Sequence, residues 1–486
     1  MTESAFLGLL AYVALPWLSG FMTVAALWNR RFHPGLLVKF FMAPGIGYGL
    51  SSVFAYIWFS AFQVIRTDFP LEDVAFHGLV IGLCVLYLFT HNPPTAPTTT
   101  GSFSKQMGWS WRLRQVLQQL WHSQQRLTFV LIGLFVLQFF VLAITSINNS
   151  MDAPHGEWDA WQTWNYRARV LYRGGNFALN FLPYGHFDYP MLLPLNVIRG
   201  WQYMGGETQF VPILLGLTFL FASIGLLFSV IVTFNSIRQA ALAGLMLLAT
   251  SRYLYWGAAQ YADVPMAYFA LCICVLLYTL GQQQTLIDPF AAGRALLLGL
   301  LLGLGMWTKN EGIFWFLAVL GLLLWHNLRQ GGDSNRDLTA LPVAHVLLGA
   351  LPILTVVFSL KMSVGETNDI LAGQSFWATG ERVLRLSHYA TIYYAGLGAL
   401  SGYFLWFFAV LVLMAQPRPT LLPNGLAQRH NLGQNRLITL LIMVLLAYAF
   451  TFVVTPQPLQ WHLETSLDRL LIHLWPAFLF TAFLEC

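Results

Sequence analysis

Apolar runs recur along almost the whole chain, and most are long enough to cross about 30 Å of hydrocarbon as a helix of about 20 residues. They fall near 6–28, 40–64, 74–91, 127–147, 211–233, 239–256, 262–280, 294–308, 312–328, 341–360, 392–414, 437–455 and 467–485, which predicts thirteen spans. Between the third and fourth, residues 93–126 run through a Pro-Pro pair, Thr- and Ser-rich stretches and then Trp and Arg, the pattern of a linker that ends in an interfacial helix. Between the fourth and fifth, 148–210 forms the longest polar segment after a span, dense in Trp, Tyr, arginine and acids. No fixed repeat period is visible, so neither a solenoid nor an obvious duplicated transporter is expected. The reading is therefore an all-α polytopic membrane protein with three parts: helices over 1–92, a linker over 93–126, and a module over 127–486 that carries the 148–210 loop.

Composition agrees with this. The chain is 57% hydrophobic and only 9% charged, whereas soluble domains carry roughly 25% charged residues. Its 25 basic residues form no cluster, so the formal charge of +5 points to membrane sidedness rather than to nucleic acid. With the N-terminus outside, the inner loops hold fourteen Lys and Arg against four acids, and the outer side holds eleven bases against sixteen acids. This sets 93–126 and 415–436 in the cytoplasm, 148–210 outside, and the C-terminus inside. The first stretch has Glu3 before it and Arg30 and Arg31 after it, which suits a first span better than a signal peptide. Cys84, Cys272, Cys274 and Cys486 lie in or at the end of apolar stretches, so no disulfide framework is expected.

Four polar motifs interrupt this pattern, and the charge-derived topology puts all four on the outer side. Glu157-Trp158-Asp159 opens a helix whose Trp158, Trp161, Trp164, Ala168 and Leu171 make a stripe fit to lie on the membrane surface. Its acids stand at the helix start, where the dipole favours carboxylates, and either serves equally well as a cap or as a base for an acceptor hydroxyl. Asp263-Val264-Pro265 opens a span, where a plain N-cap is the simpler reading. Thr308-Lys309-Asn310-Glu311-Gly312 joins two spans almost without a loop; its charges either snorkel to the headgroups or face a functional cavity. Trp461-His462-Leu463-Glu464 through Asp468-Arg469 precedes the last span, where a cation in the first helical turn is poorly placed unless it meets an anion. Four such motifs on one face imply one polar cavity.

These residues resemble the GT-C class of integral-membrane glycosyltransferases, more closely the bacterial branch related to protein O-mannosyltransferases and to the aminoarabinose transferases that modify lipid A. The resemblance rests on Glu157 and Asp159 followed by Trp161, Trp164, Arg167, Arg169, Tyr172 and Arg173, on Asp263-Val264-Pro265, and on Lys309-Asn310-Glu311. It implies a multi-pass enzyme of the cell inner membrane. The enzyme would move a sugar from a polyprenyl-phosphate donor to a hydroxyl on a lipid, glycan or protein acceptor at the outer, periplasmic face, with inversion. Asp159 would be the general base and Glu157 its neighbour and alternative. Lys309, Arg469 and Arg173 would meet the donor phosphate, and Asp263, Glu311, His462, Asp188 and Trp161 would line the substrate site. Two features depart from the family: Trp158 separates acids that are adjacent in many relatives, and three spans precede residue 93. No cofactor is implied, although His155, Glu157, Asp159, His186 and Asp188 include divalent-metal ligand types; the 186–190 run reads equally well as a turn.

A polytopic transporter or flippase would also need a polar cavity, but it would place polar residues at mid-span in matched halves, whereas these acids sit at span ends. A scaffold in an envelope assembly would not need the motifs to converge. Cysteine scanning from intact cells tests the sidedness. A Cys replacing Asn176 should react with an impermeant maleimide and one replacing Ser104 should not; the reverse would overturn the topology.

Overall fold

The computed structural model describes residues 2–28, 35–91, 126–175, 177, 188–281, 291–329, 343–364, 375–401 and 424–484, with backbone alone at 91, 281, 401 and 424–433. The linker at 93–125 and His186 lie outside the described residues. Among the described residues there are seventeen α-helices, one π-turn and no strand. The helices are α1 Glu3–Leu27, α2 Leu36–Phe62, α3 Leu71–His91, α4 Arg126–Asp152, α5 Asn165–Gly174, α6 Leu192–Met204, α7 Phe210–Phe234, α8 Ile237–Leu248 and α9 Ser251–Ala258. They continue with α10 Asp263–Gly281, α11 Ala291–Thr308, α12 Gly312–Arg329, α13 Val343–Val364, α14 Phe376–Leu384, α15 Leu386–Ser401, α16 Asn424–Val454 and α17 Leu459–Phe483. The π-turn spans Ala160–Trp164. The protein is an all-α polytopic membrane protein.

Nine described helices are long and apolar enough to span a bilayer, and the differences from thirteen have local causes. The predicted 239–256 span is broken at Ala249 and Thr250 into α8 and α9. The helix over Gly312–Leu328 is apolar but short. The last predicted span lies inside α17, which starts at Leu459 and carries Glu464, Asp468 and Arg469 in its first half. The 392–414 stretch begins in α15 and passes into residues outside those described. The buried amphipathic helix α6, in the middle of the predicted 148–210 loop, was not expected.

α10 is the central pillar. Beyond Asp263 it has no polar stripe to turn toward an aqueous surface, and a helix that is apolar all round must be buried all round. It is covered by α7, α11, α16 and α17, and its membrane segment is wholly enclosed. Small residues let the neighbouring helices close tightly, as they do in bilayers, where apolar burial alone does not drive association. α11 meets α13 so closely that a Cβ on Gly299 would stand 1.9 Å from the Val346 carbonyl oxygen, and one on Gly349 would stand 2.1 Å from that of Leu296. α2 connects the first three helices to the rest: Tyr268 on α10 donates to the Phe41 carbonyl at 2.8 Å, and Trp307 on α11 donates to Ser52 at 3.0 Å.

Candidate active site

The site grows from Asp263, the first residue of α10, which is fully buried. One carboxylate oxygen receives Lys309 Nζ at 2.9 Å and faces His473 Nε2 at 2.9 Å. The other receives Arg469 Nε at 3.1 Å and Nη2 at 3.0 Å. Behind it, Trp315 donates to the Tyr448 hydroxyl at 3.1 Å, and Tyr448 lies 3.2 Å from His473 Nδ1. The indole can only donate, so Tyr448 accepts from Trp315 and links it to His473, which in turn faces Asp263 through Nε2.

Arg469 bridges two carboxylates. Its Nη2 also reaches Asp159 Oδ2 at 2.7 Å, and its guanidinium lies over the rings of Tyr261 and Trp256, 4.9 and 5.6 Å from their centroids. Asp159 is held at the backbone as well, where its N–H donates to Tyr261 Oη at 2.9 Å. Its side chain keeps 31% of its surface exposed, against none for Asp263. The segment before the π-turn closes onto the 259–261 turn because the Glu157 N–H donates to the Ala259 carbonyl at 3.2 Å. Gly156 permits this: it has φ +74°, and a Cβ there would stand 2.7 Å from that same carbonyl oxygen.

A second node lies beside the first. Lys309 also touches Glu311 at 2.9 Å. Burial penalises both charges, yet Asp263 and Glu311 hold the Lys309 ammonium above its ordinary pKa, and Lys309 keeps Glu311 below the usual carboxylate range. Asn310 donates to Asp188 Oδ2 at 2.9 Å, and Lys361 donates to Asn310 Oδ1 at 2.7 Å and to Asp188 Oδ2 at 3.2 Å. Buried Arg167 donates to the Tyr189 carbonyl at 3.0 Å; its own burial pushes its pKa down to about 10. The Tyr189 ring stacks on Trp164 at 5.5 Å.

Asp159, Asp263, Lys309, Glu311 and Arg469 thus form one connected cluster, and Asp188 joins it through Asn310. Glu157 stands apart from the ion pairs among the described residues, with its carboxylate near the Tyr255 hydroxyl. Arg173 is not part of the cluster: its side chain is 66% exposed and forms a two-pronged pair with Glu207 at 2.6 and 2.9 Å. His462 packs on Phe452 and meets Thr455 at 2.9 Å. Trp161 is partly exposed and meets Trp158 edge-on. The surface stripe is split, because Trp164, Ala168 and Leu171 are buried whereas Trp158 and Trp161 are exposed. The π-turn at Ala160–Trp164 places an extra residue in the ladder and changes the face on which later side chains fall. Arg469 is in the third turn of α17 rather than its first, so the cation there does not oppose the dipole. Asp468 pairs with Arg252. No set of three or more His, Cys, Asp and Glu able to hold a metal occurs among the described residues.

Sequence reasoning missed Lys361, His473 and Tyr261. Two of these had a signal: Lys361 is a cation in the apolar run of α13, one residue past the predicted span end, and His473 follows Arg469 by one helical turn.

Residues 190–359 match the family model for dolichyl-phosphate-mannose-protein mannosyltransferase. The matched stretch contains Asp263, Lys309 and Glu311 and leaves out Asp159, Asp188, Lys361 and Arg469. No curated protein and no solved structure matches the chain. The match supports a multi-pass membrane glycosyltransferase of the GT-C type.

Removing one partner from a buried ion cluster leaves the rest uncompensated. Arg469→Ala should therefore lower stability by about 3–5 kcal/mol, whereas Arg173→Ala, at an exposed pair, should leave the melting curve where it is. Unfolding of both variants in detergent, followed by intrinsic fluorescence, checks this; equal behaviour would mean that the Asp263 cluster does not hold the fold.

Proposed function

We propose that this protein transfers a sugar from a polyprenyl-phosphate donor to an acceptor hydroxyl at the outer, periplasmic face of the cell inner membrane, inverting the anomeric carbon. Asp159 is the base. The observation that carries this reading is the Arg469 bridge, which ties a half-open carboxylate on the outer loop to a buried one at a span end.

The charges explain how the reaction starts. Four carboxylates, Asp159, Asp188, Asp263 and Glu311, are matched by four cations, Arg167, Lys309, Lys361 and Arg469. A donor phosphate arrives as an extra anion and must draw a cation from a carboxylate. Arg469 is the cation shared with the most exposed acid. As its guanidinium turns toward the phosphate, the Asp159 carboxylate leaves its ion pair and its oxygen becomes free to take the proton of the acceptor hydroxyl. Asp263 stays paired with Lys309 and keeps the pivot of Arg469 in place. The acceptor oxygen then attacks the anomeric carbon, its proton passes to Asp159, and the sugar–phosphate bond breaks through an oxocarbenium-like state. The leaving phosphate collects negative charge where Arg469 and Lys361 can meet it. Lys309 supports this field from behind, between Asp263 and Glu311.

Among the described residues Glu157 pairs with no cation and lies near Tyr255, so it suits orientation of the acceptor better than proton removal. In proteoliposomes with a polyprenyl-phosphate sugar donor, Asp159→Asn should lower turnover by roughly a hundredfold or more, and Glu157→Gln should do less. Turnover of Asp159→Asn equal to the parent would remove Asp159 from the mechanism, and a dead Glu157→Gln in the same assay would pass the role of base to Glu157.

A further inference from the structure

A second cluster of buried charge lies away from the site, between the first three helices and α6, and the mechanism does not use it. Arg199, on α6, is completely buried. It pairs with Glu72, lies 3.7 Å from Asp73, donates to Gln202 Oε1 at 3.0 Å, and sits over the Phe59 ring at 4.7 Å. Asp73 receives Ser51 of α2 at 2.8 Å and Tyr203 of α6 at 3.0 Å. His77, one turn further along α3, reaches Ser19 of α1 at 2.8 Å. Two more bonds tie α6 to the same neighbours: Asn196 Nδ2 donates to the Tyr48 carbonyl at 3.0 Å, and Gln202 Nε2 to that of Arg66 at 2.6 Å.

Buried ions of this kind contribute little net stability, since apolar replacements often do as well, and setting register is their best-attested use. α6 needs such a device. It is buried on every side along nearly its whole length, and contacts among apolar side chains resist sliding poorly compared with directional bonds. Its position also bears on the site. Asp188 and Tyr189 lie just before its N-terminus, and Leu192 to Arg199 is about 10 Å of helix at 1.5 Å per residue. The end of α5 is held from the same direction, with Ile65 N–H donating to the Gly175 carbonyl at 3.1 Å and Tyr172 edge-on to Trp201 at 5.4 Å.

We infer that Arg199 is a positioning residue. By fixing the register of α6 against α1, α2 and α3, it sets where Asp188 and Tyr189 stand, and this gives the first three helices their role. The inference rests on the proposed reading only in treating Asp188 and Tyr189 as part of the active site.

Hydrogen–deuterium exchange on the full chain in nanodiscs tests it without relying on turnover, so its failure is separable from failure of the transferase reading. Arg199→Met should speed exchange across 188–198 by roughly fivefold or more, while α10 and α11 exchange as in the parent. Tyr203→Phe keeps the Arg199 ion pairs and removes one bond to Asp73; it should give the same pattern with smaller amplitude, and it decides the matter if Arg199→Met does not fold. In turnover assays of either folded variant the KM for donor should rise, and Arg199→Lys should recover part of the loss. A clamp that serves stability alone would lower the melting temperature with exchange at 188–191 and donor KM as in the parent, and that result would overturn the inference.

Discussion

A carboxylate charge in a low-dielectric interior has to be neutralised, and the architecture around α10 is built on meeting that demand at Asp263. Desolvating a carboxylate costs several kcal/mol even after relaxation. Lys309 from the α11–α12 turn, Arg469 and His473 from α17, and the Trp315–Tyr448 relay behind them all converge on one side chain. Lys309 and the two α17 partners come from different parts of the chain, so the fold cannot satisfy Asp263 without bringing those elements together. The same requirement that stabilises the bundle therefore assembles the polar site.

That arrangement leaves one weak link, on the side that matters for chemistry. Asp263 keeps Lys309 and His473 whatever Arg469 does, whereas Asp159 has Arg469 as its ionic partner and remains partly exposed. In the proposed mechanism an incoming anion competes for the shared guanidinium, and substrate charge is what exposes the base. Lys361 is held by Asp188 and Asn310 in the adjoining node. If Arg199 sets the register of α6 as inferred, the first three helices, furthest in sequence from the C-terminal cation, also shape the site.

The membrane class and most spans were legible because hydrocarbon thickness imposes a length on apolar runs. The 239–256 run was misread because an apolar stretch of about the right length does not reveal a break, and Ala249 and Thr250 carry no Gly or Pro to mark one. α6 was hidden because its burial comes from tertiary neighbours, whereas its sequence mixes Asn196, Arg199 and Gln202 with leucines. Within the site, Asp159, Asp263, Lys309 and Arg469 stood out as charges at span ends on one side. Their pairing could not be read, since which acid takes which base depends on how the helices pack, and Arg173 was placed with the phosphate when Glu207 lies within its reach. Tyr261 had no signal at all, because an aromatic beside a membrane is ordinarily an interfacial anchor.

The central claim is that Asp159 and Arg469 act as one unit. A double-mutant cycle on turnover with a polyprenyl-phosphate sugar donor, combining Asp159→Asn and Arg469→Lys, tests it most directly. Residues that work as a unit give grossly non-additive losses, so the account predicts a double variant no slower than the worse single one. Losses that multiply would show two independent contributions and contradict the bridge as the origin of the chemistry.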